Sequence, residues 1–522
     1  MNHPMRSLFP CLLALLVLPV AALAAQSRPN ILFVISDDQS FAHTSFAGYP
    51  GVKTPAFDRV AREGVYFKHA FAPAPGCSPT RAAFLTGRHI WQIENAGTHA
   101  SSFPKKYAVY PDVLEAAGYF VGLTGKGWGP GNFQIDGRPR NPAGPDFNKR
   151  TLTPPNDSMS RNDYAGNFGD FLAARPKDRP FCFWMGGSEP HRGFAQGSGL
   201  KAGKRLADGT PPPFLPDTPE VRSDMLDYCL EIEWFDSHLG RALKLLEDAG
   251  ELDNTLIIVT SDNGMAFPRA KANLYEYGFH MPLAIRWGAR VPGGRTVDDL
   301  VGFVDLTATL YEATGVGHPS RDYPLAGRSI LNLLASGKQG LVEPQRDAVF
   351  AGRERHSSAR YNNWTYPQRA IRTARHLYIR NFRPDRWPAG DPVVLADRGK
   401  KGGKETSDPK AGKPHSGYKD IDGSPTLDFL IAKADDPKIR PYLDLAVAKR
   451  PAEELFDIVN DPGCLKNLAA DPAHAATRAT LAQRLEEKLR QTGDARVLDG
   501  GEIWETYPRY SPIREFPKPA GR

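Results

Sequence analysis

The chain has 522 residues, 41% of them hydrophobic and 24% charged, with a formal net charge of +7. That composition excludes a disordered or fibrous polypeptide, and the length is enough for a large core plus a second domain. A pI near 9.0 favours polyanionic partners, but the basic residues are spread through the chain, and a merely soluble basic protein has the same balance.

At the N-terminus, Arg6 precedes an apolar run, Cys11 to Ala25, broken by Pro19, and Ala22-Leu23-Ala24 forms a small-x-small cleavage site. Residues 1–25 read as a secretory signal peptide, which predicts a secreted or periplasmic protein. The run is shorter than the ~20 residues of a membrane span, and no later segment qualifies. Cys11 does not end the run, so a lipoprotein anchor is not expected. Removing this leader, with Arg6 and no acid, lowers the net charge from +7 to +6. Cys77, Cys182, Cys229 and Cys464 then remain, widely spaced and without a CxxC or zinc pattern. Cys182 and Cys229 are expected as buried thiols.

Short apolar runs alternate with amphipathic stretches from Pro29 onward. Ile31-Leu32-Phe33-Val34-Ile35 predicts a strand covered on both faces, running into Asp37-Asp38. In Cys77-Ser78-Pro79-Thr80-Arg81, Pro79 suits the first turn of a helix and Gly87 its end, which puts Cys77 at a helix N-terminus that favours anions. Tyr119–Thr124 predicts a strand running into Gly125-Lys126, and Phe181–Met185 one running into Glu189-Pro190-His191-Arg192. A helical pattern from Arg222 to Ala249 precedes Thr255–Thr260, whose strand runs into Asp262-Asn263-Gly264. Strands alternating with helices predict a mostly parallel sheet with helices on both faces, ending near residue 345. Beyond it, Ala348-Val349-Phe350 and Leu377–Arg380 suit strands of a smaller α+β domain, and Ala475–Thr492 a closing helix. Residues 396–420, rich in Lys, Gly, Asp and Pro, read as an exposed loop.

Ligands of open α/β sheets bind outside the carboxyl ends of the strands, so the polar groups that follow the four strands are predicted to converge on one edge. Asp37, Asp38, Asp262 and Asn263 offer four oxygen donors, a set suited to Ca²⁺ or Mg²⁺. Each pair by itself also suits a turn or cap. Arg81 and Lys126 are cations for a bound anion and for the nucleophile, and His191 and Lys271 can donate a proton to a leaving group. Alone, that histidine and lysine would more often be surface residues. Trp128, in the loop after the Tyr119–Thr124 strand, is expected as a wall of the pocket beside Cys77. Glu189 with Arg192 suits recognition of a charged sugar, and Arg192, His356 and Arg369 suit donors to carboxylate or sulfate.

These residues carry a family resemblance. Arg28-Pro29-Asn30-Ile31 to Asp38 looks like a sulfatase N-terminus, and Cys77 to Arg88 resembles the sulfatase signature. Gly125-Lys126, Ser261-Asp262-Asn263-Gly264, and Glu454-Leu455-Phe456-Asp457 with Asn460-Asp461-Pro462 resemble later motifs. Within the family the chain is most similar to the heparan N-sulfatases (sulfamidases), through Glu189–Arg192, Phe267-Pro268, Asn273-Leu274-Tyr275, and Tyr366-Pro367 with Arg369. The resemblance implies an alkaline-phosphatase-like α/β fold, with a catalytic domain over 26–345 and a smaller α+β domain over 346–522. It implies one Ca²⁺ or Mg²⁺ held by Asp37, Asp38, residue 77, Asp262 and Asn263, and oxidation of Cys77 to formylglycine by a formylglycine-generating enzyme. The hydrated aldehyde would attack sulfur in line, and its second hydroxyl would then lose a proton and expel sulfate.

The implied substrate is a sulfated glycan, most specifically N-sulfoglucosamine of heparin or heparan sulfate, and not nucleic acid. The chain departs from the family at Trp128, where a histidine that contacts the formylglycine hydroxyl is usual. It also has Lys271 where sulfamidases have arginine, and Cys464 where an acid is usual. The readings left open are an O-sulfatase on another glycan, a phosphatase or phosphodiesterase of the same superfamily, a sulfate-transferring enzyme, and an inactive glycan-binding protein.

Overall fold

The structure is a computed structural model and describes residues 28–392 and 417–519. The expected signal peptide, and most of the expected loop at 396–420, lie outside the described residues.

Eight strands form the large sheet: β1 (Asn30–Ser36), β2 (Val65–Phe71), β3 (Phe120–Gly125), β4 (Phe181–Gly186), β5 (Thr255–Ser261), β6 (His280–Met281), β7 (Leu283–Arg286) and β8 (Arg295–Gly302). Their order is β3-β4-β1-β5-β7-β2-β6, with β8 paired to β2. β3, β4, β1 and β5 are mutually parallel, as expected, whereas β7 runs antiparallel to β5 and β2. The apolar run of β1 is buried throughout. Ile31, Phe33 and Ile35 face a core shared with Phe84 and Trp184, and Leu32 and Val34 face one shared with Phe168, Phe171, Leu239 and Leu243. Burial on both faces is why this strand reads as continuous apolar residues, without alternation.

Register carries the polar ends to one place. Gly125 pairs with Gly186, Ile35 with Gly186, and Ser36 with Ser261. The ladder continues one step past the strands, where Lys126 N–H donates to the Gly186 carbonyl at 2.8 Å and Asp262 N–H to the Ser36 carbonyl at 3.2 Å. The residues that follow β3, β1 and β5 therefore emerge side by side.

A second, four-stranded antiparallel sheet has the order β12-β11-β10-β9, from β9 (Ala348–Arg353), β10 (Gln368–Thr373), β11 (His376–Asn381) and β12 (Glu453–Asp457). The helix Ala475–Gln491 covers it with Leu481, Leu485 and Leu489. Ile371, Leu377 and Phe456 of this sheet join the same apolar core as Phe71 and Val301 of the large one. The expected exposed loop is corrected at its described end: Tyr418 and Asp420 are each 3% exposed. Asp420 is drawn inward by Arg353 and Arg360, at 2.7 and 2.6 Å.

Candidate functional site

Cys77 opens the helix Cys77–Thr86, capped by extended Gly76 at one end and by left-handed Gly87 (φ 67°) at the other. Ending a helix with a left-handed residue costs glycine least, because it has no Cβ. Cys77 is 1% exposed. Burial pushes its thiol up to about 11, with Lys126 opposing the shift. Such a thiol is protonated at neutral pH and is a poor nucleophile.

The carboxylates lie against it. Asp37, Cys77 and Asp262 each present a ligand atom within 4.8 Å of the others. Asp38, in the left-handed region at φ 71°, turns the chain directly after β1. Its Oδ1 accepts from Asn263 Nδ2 at 2.7 Å and its Oδ2 from Lys271 Nζ at 2.6 Å. Burial, and then the charge of Asp37, raise Asp262 to about 7. Burial also pushes on Asp37, but Lys126, His191 and Arg81 outweigh it and hold that carboxyl far below the usual range. Asp37 Oδ1 and Asn263 Oδ1 are buried acceptors with no hydrogen-bond donor among the described residues. Two orphaned oxygens beside repelling carboxylates fit one hard divalent cation.

The cations are less alike than their charges suggest. Arg81 is fully buried; its Nε donates to Asp262 Oδ2 at 2.7 Å, and its Nη1 to the carbonyls of Lys126 and Gly127 at 2.6 and 3.1 Å. It thereby ties the loop after β3 to the loop after β5, leaving Nη2 unbonded, 3.9 Å from Asp37 Oδ1. The Lys126 ammonium pairs with Asp37 and keeps its side chain 20% exposed. His191, 40% exposed, places Nε2 3.9 Å from Asp38 Oδ2. Lys271 is held between Asp38 and Asp422, the latter at 3.0 Å. Burial opposes its charge, yet the two carboxylates hold it well above the ordinary lysine value. Asp38, His191 and Asp422 also form an acidic group. There the Lys271 ammonium stands between the two carboxylates and neutralises part of their charge.

Four expected ligand contacts are corrected. Arg369 is fully buried, with Nε on Asp494 at 2.6 Å and Nη2 on Glu354 at 2.8 Å, so it locks the small sheet to its closing segment. Arg192 is spent on Asp224, at 2.8 Å through Nη2. Glu189, 2% exposed, accepts from Ser160 N–H at 2.7 Å and Tyr164 O–H at 2.8 Å. Trp128 does lie beside the Cys77 segment, but it is 3% exposed. Its Nε1 donates to the Ser78 carbonyl at 3.0 Å, and its ring meets Phe103 edge-on, so it buttresses the helix start rather than facing a ligand. In each case the fold supplies an internal partner that consumes the polar group. His356, 8% exposed, lies with its ring tilted against that of His99, centroids 4.6 Å apart, one step removed from Cys77.

Two residues were missed from the sequence. Asp422 follows the loop read as exposed and looks there like a turn residue. His99, between Thr98 and Ala100, has no periodic or motif context, yet its Nε2 lies 3.3 Å from Cys77 Sγ.

A family model described as Sulfatase matches residues 29–316. Human N-sulphoglucosamine sulphohydrolase is 28% identical over 96% of this chain and 98% of its own. An ulvan-active sulfatase of Formosa agariphila is 26% identical over 91% of this chain and 77% of its own. Among solved structures, one determined with its substrate D-glucosamine-2-N,6-O-disulfate superposes with a TM-score of 0.63 at 19% identity, covering 90% of this chain and 99% of that one. The phosphonate monoester hydrolase of Agrobacterium radiobacter gives a TM-score of 0.62 at 19% identity, over 90% and 97%. At these identities the superpositions speak to the fold alone.

Proposed function

The chain belongs to the sulfatase family and is a hydrolase of sulfated glycans, and on that premise we propose that it removes the N-sulfate of glucosamine at the non-reducing end of heparin or heparan sulfate, using formylglycine at position 77. The observation that carries the chemical reading is the packing of Cys77 against Asp37 and Asp262, with the orphaned oxygens of Asp37 and Asn263 alongside. Asp37, Asp38, Asp262 and Asn263, with residue 77, would hold one Ca²⁺ or Mg²⁺. Such an ion neutralises charge on the sulfuryl oxygens. The aldehyde supplies a hydrated carbon with two hydroxyls, one to attack sulfur and one to close the cycle; the buried thiol has no second hydroxyl.

The chain's own residues do the rest. Lys126, paired with Asp37 and partly open to solvent, steadies the attacking hydroxyl and the sulfuryl group. Arg81 holds Asp262 and the Lys126 loop in position. Lys271, kept charged by two carboxylates, gives up its proton poorly and acts as a fixed positive charge. His191, the more exposed of the two, protonates the departing nitrogen. The N-sulfate assignment is supported by the human relative, which aligns with this chain almost from end to end and whose name specifies N-sulphoglucosamine. A secreted or periplasmic location would place the enzyme with such polyanions, and a basic surface would speed encounter.

The test is sulfate release from glucosamine N-sulfate, glucosamine 6-O-sulfate and galactose sulfates side by side, with the mass of the peptide containing residue 77 read on the same preparation. The expected result is an aldehyde at 77 and turnover of the N-sulfate. Turnover of an O-sulfate and none of the N-sulfate overturns the substrate assignment and leaves the hydrolase standing. A persisting thiol with full turnover overturns the nucleophile.

A further inference from the structure

His99 is the imidazole that touches residue 77, and apart from the neighbouring His356 ring, 4.6 Å away between centroids, its polar contact is to that residue. Its Nε2 lies 3.3 Å from Sγ, while its Nδ1 is buried with no hydrogen-bond partner among the described residues. A histidine kept for structure would normally spend both nitrogens on the fold. This one addresses a single polar group.

The backbone around it is held from three directions. His99 N–H donates to the Arg355 carbonyl at 3.1 Å, and Ala100 N–H to Ser78 Oγ at 3.1 Å. The Ala100 carbonyl accepts from Tyr510 N–H at 2.7 Å. Ala100 sits at φ 56°, a left-handed conformation costly for a residue with a Cβ. The strain is borne where it fixes the preceding side chain against the nucleophile, and the Ser78 bond ties that loop to the helix that presents Cys77. The other candidates are engaged elsewhere. Trp128 Nε1 is committed to the Ser78 carbonyl, and His191 Nε2 addresses Asp38.

We propose that His99 is a catalytic residue whose Nε2 accepts the proton of the second hydroxyl of residue 77 as sulfate is released. This rests on the formylglycine reading above. The O–H bond breaks, its electron pair becomes the second bond of the regenerated carbonyl, and the carbon–oxygen bond to sulfate breaks, its own electron pair leaving on the sulfate oxygen. The proton rests on Nε2 until water or product carries it away. Without an acceptor at this point the first half of the cycle proceeds and the second stalls.

The experiment uses the full chain as wild type, His99→Gln and His99→Ala, with aldehyde content read from the mass of the residue 77 peptide and rates expressed per aldehyde. Expected is a fall of roughly 10²–10⁴-fold in kcat, the range for a lost proton acceptor, with KM changed little. After mixing with substrate, the variants accumulate a peptide carrying the sulfuryl group, and added imidazole restores part of the rate of His99→Ala. Variants that keep kcat within about threefold, or lose it with no retained sulfuryl group and no imidazole rescue, overturn the proposal. Wild-type protein that has a thiol at 77 and releases no sulfate defeats the underlying reading instead, so the two failures are distinguishable.

Discussion

Glu276 joins the two sheets, linking Arg372 of β10 to His280 of β6, and its titration should be visible in stability. It is 2% exposed, accepts from Arg372 Nε of β10 at 2.5 Å and lies 3.0 Å from His280 Nδ1. Burial pushes its carboxyl up, but Arg372 and His280 prevail and lower it from 4.5 to about 2. A carboxyl depressed in the folded state contributes stability that is complete above its unfolded value and is lost as pH falls toward its folded value. At 1.36 kcal/mol per unit, the shift corresponds to roughly 3 kcal/mol at neutral pH. Glu276→Gln keeps the shape but cannot ionise. Denaturant unfolding of both proteins should show that penalty of roughly 3 kcal/mol near neutral pH, shrinking to about 2 kcal/mol one unit below the unfolded value of 4.5. A penalty under about 1 kcal/mol at neutral pH, or one that does not change with acid, refutes the reasoning.

Three further outcomes are expected. Cys77→Ala abolishes sulfate release while the far-ultraviolet spectrum and unfolding midpoint stay near wild type, and full activity in that variant would end the nucleophile assignment. Purified protein contains one Ca²⁺ or Mg²⁺ per chain by elemental analysis, Asp262→Ala contains none, and two metals per chain would favour a phosphatase-type site. Arg369→Ala, which leaves Asp494 without its cation while Glu354 keeps Arg496, loses about 3 kcal/mol of stability. Its KM at permissive temperature stays unchanged; a raised KM with normal stability would restore it as a ligand residue.

The sequence alone was enough for the parallel half of the large sheet and for the acidic edge. An apolar run buried on both faces and then interrupted by polar residues is a local signal, as Ile31–Asp38 and Thr255–Asn263 show, and parallel register turns four such signals into one site without further information. The helix at Cys77 was legible for the same reason, since Pro79 and Gly87 mark its ends within ten residues. Strands such as Arg295–Gly302 were not, because two acids interrupt the apolar pattern that would reveal them.

Tertiary structure decided the fate of each long polar side chain. Whether Arg369 faces a ligand or the interior depends on carboxylates 15 and 125 residues away, and no local pattern records which of them the fold will deliver. The same holds for Arg192 with Asp224, 32 residues on. His99 is the converse case. It reads as a lone loop residue, and it becomes a contact to Cys77 only because the helix start, the segment after β9 and the C-terminal tail all grip the backbone beside it. Burial of an apolar run is a property of the run itself, whereas the partner of a charged or hydrogen-bonding group is a property of the whole chain.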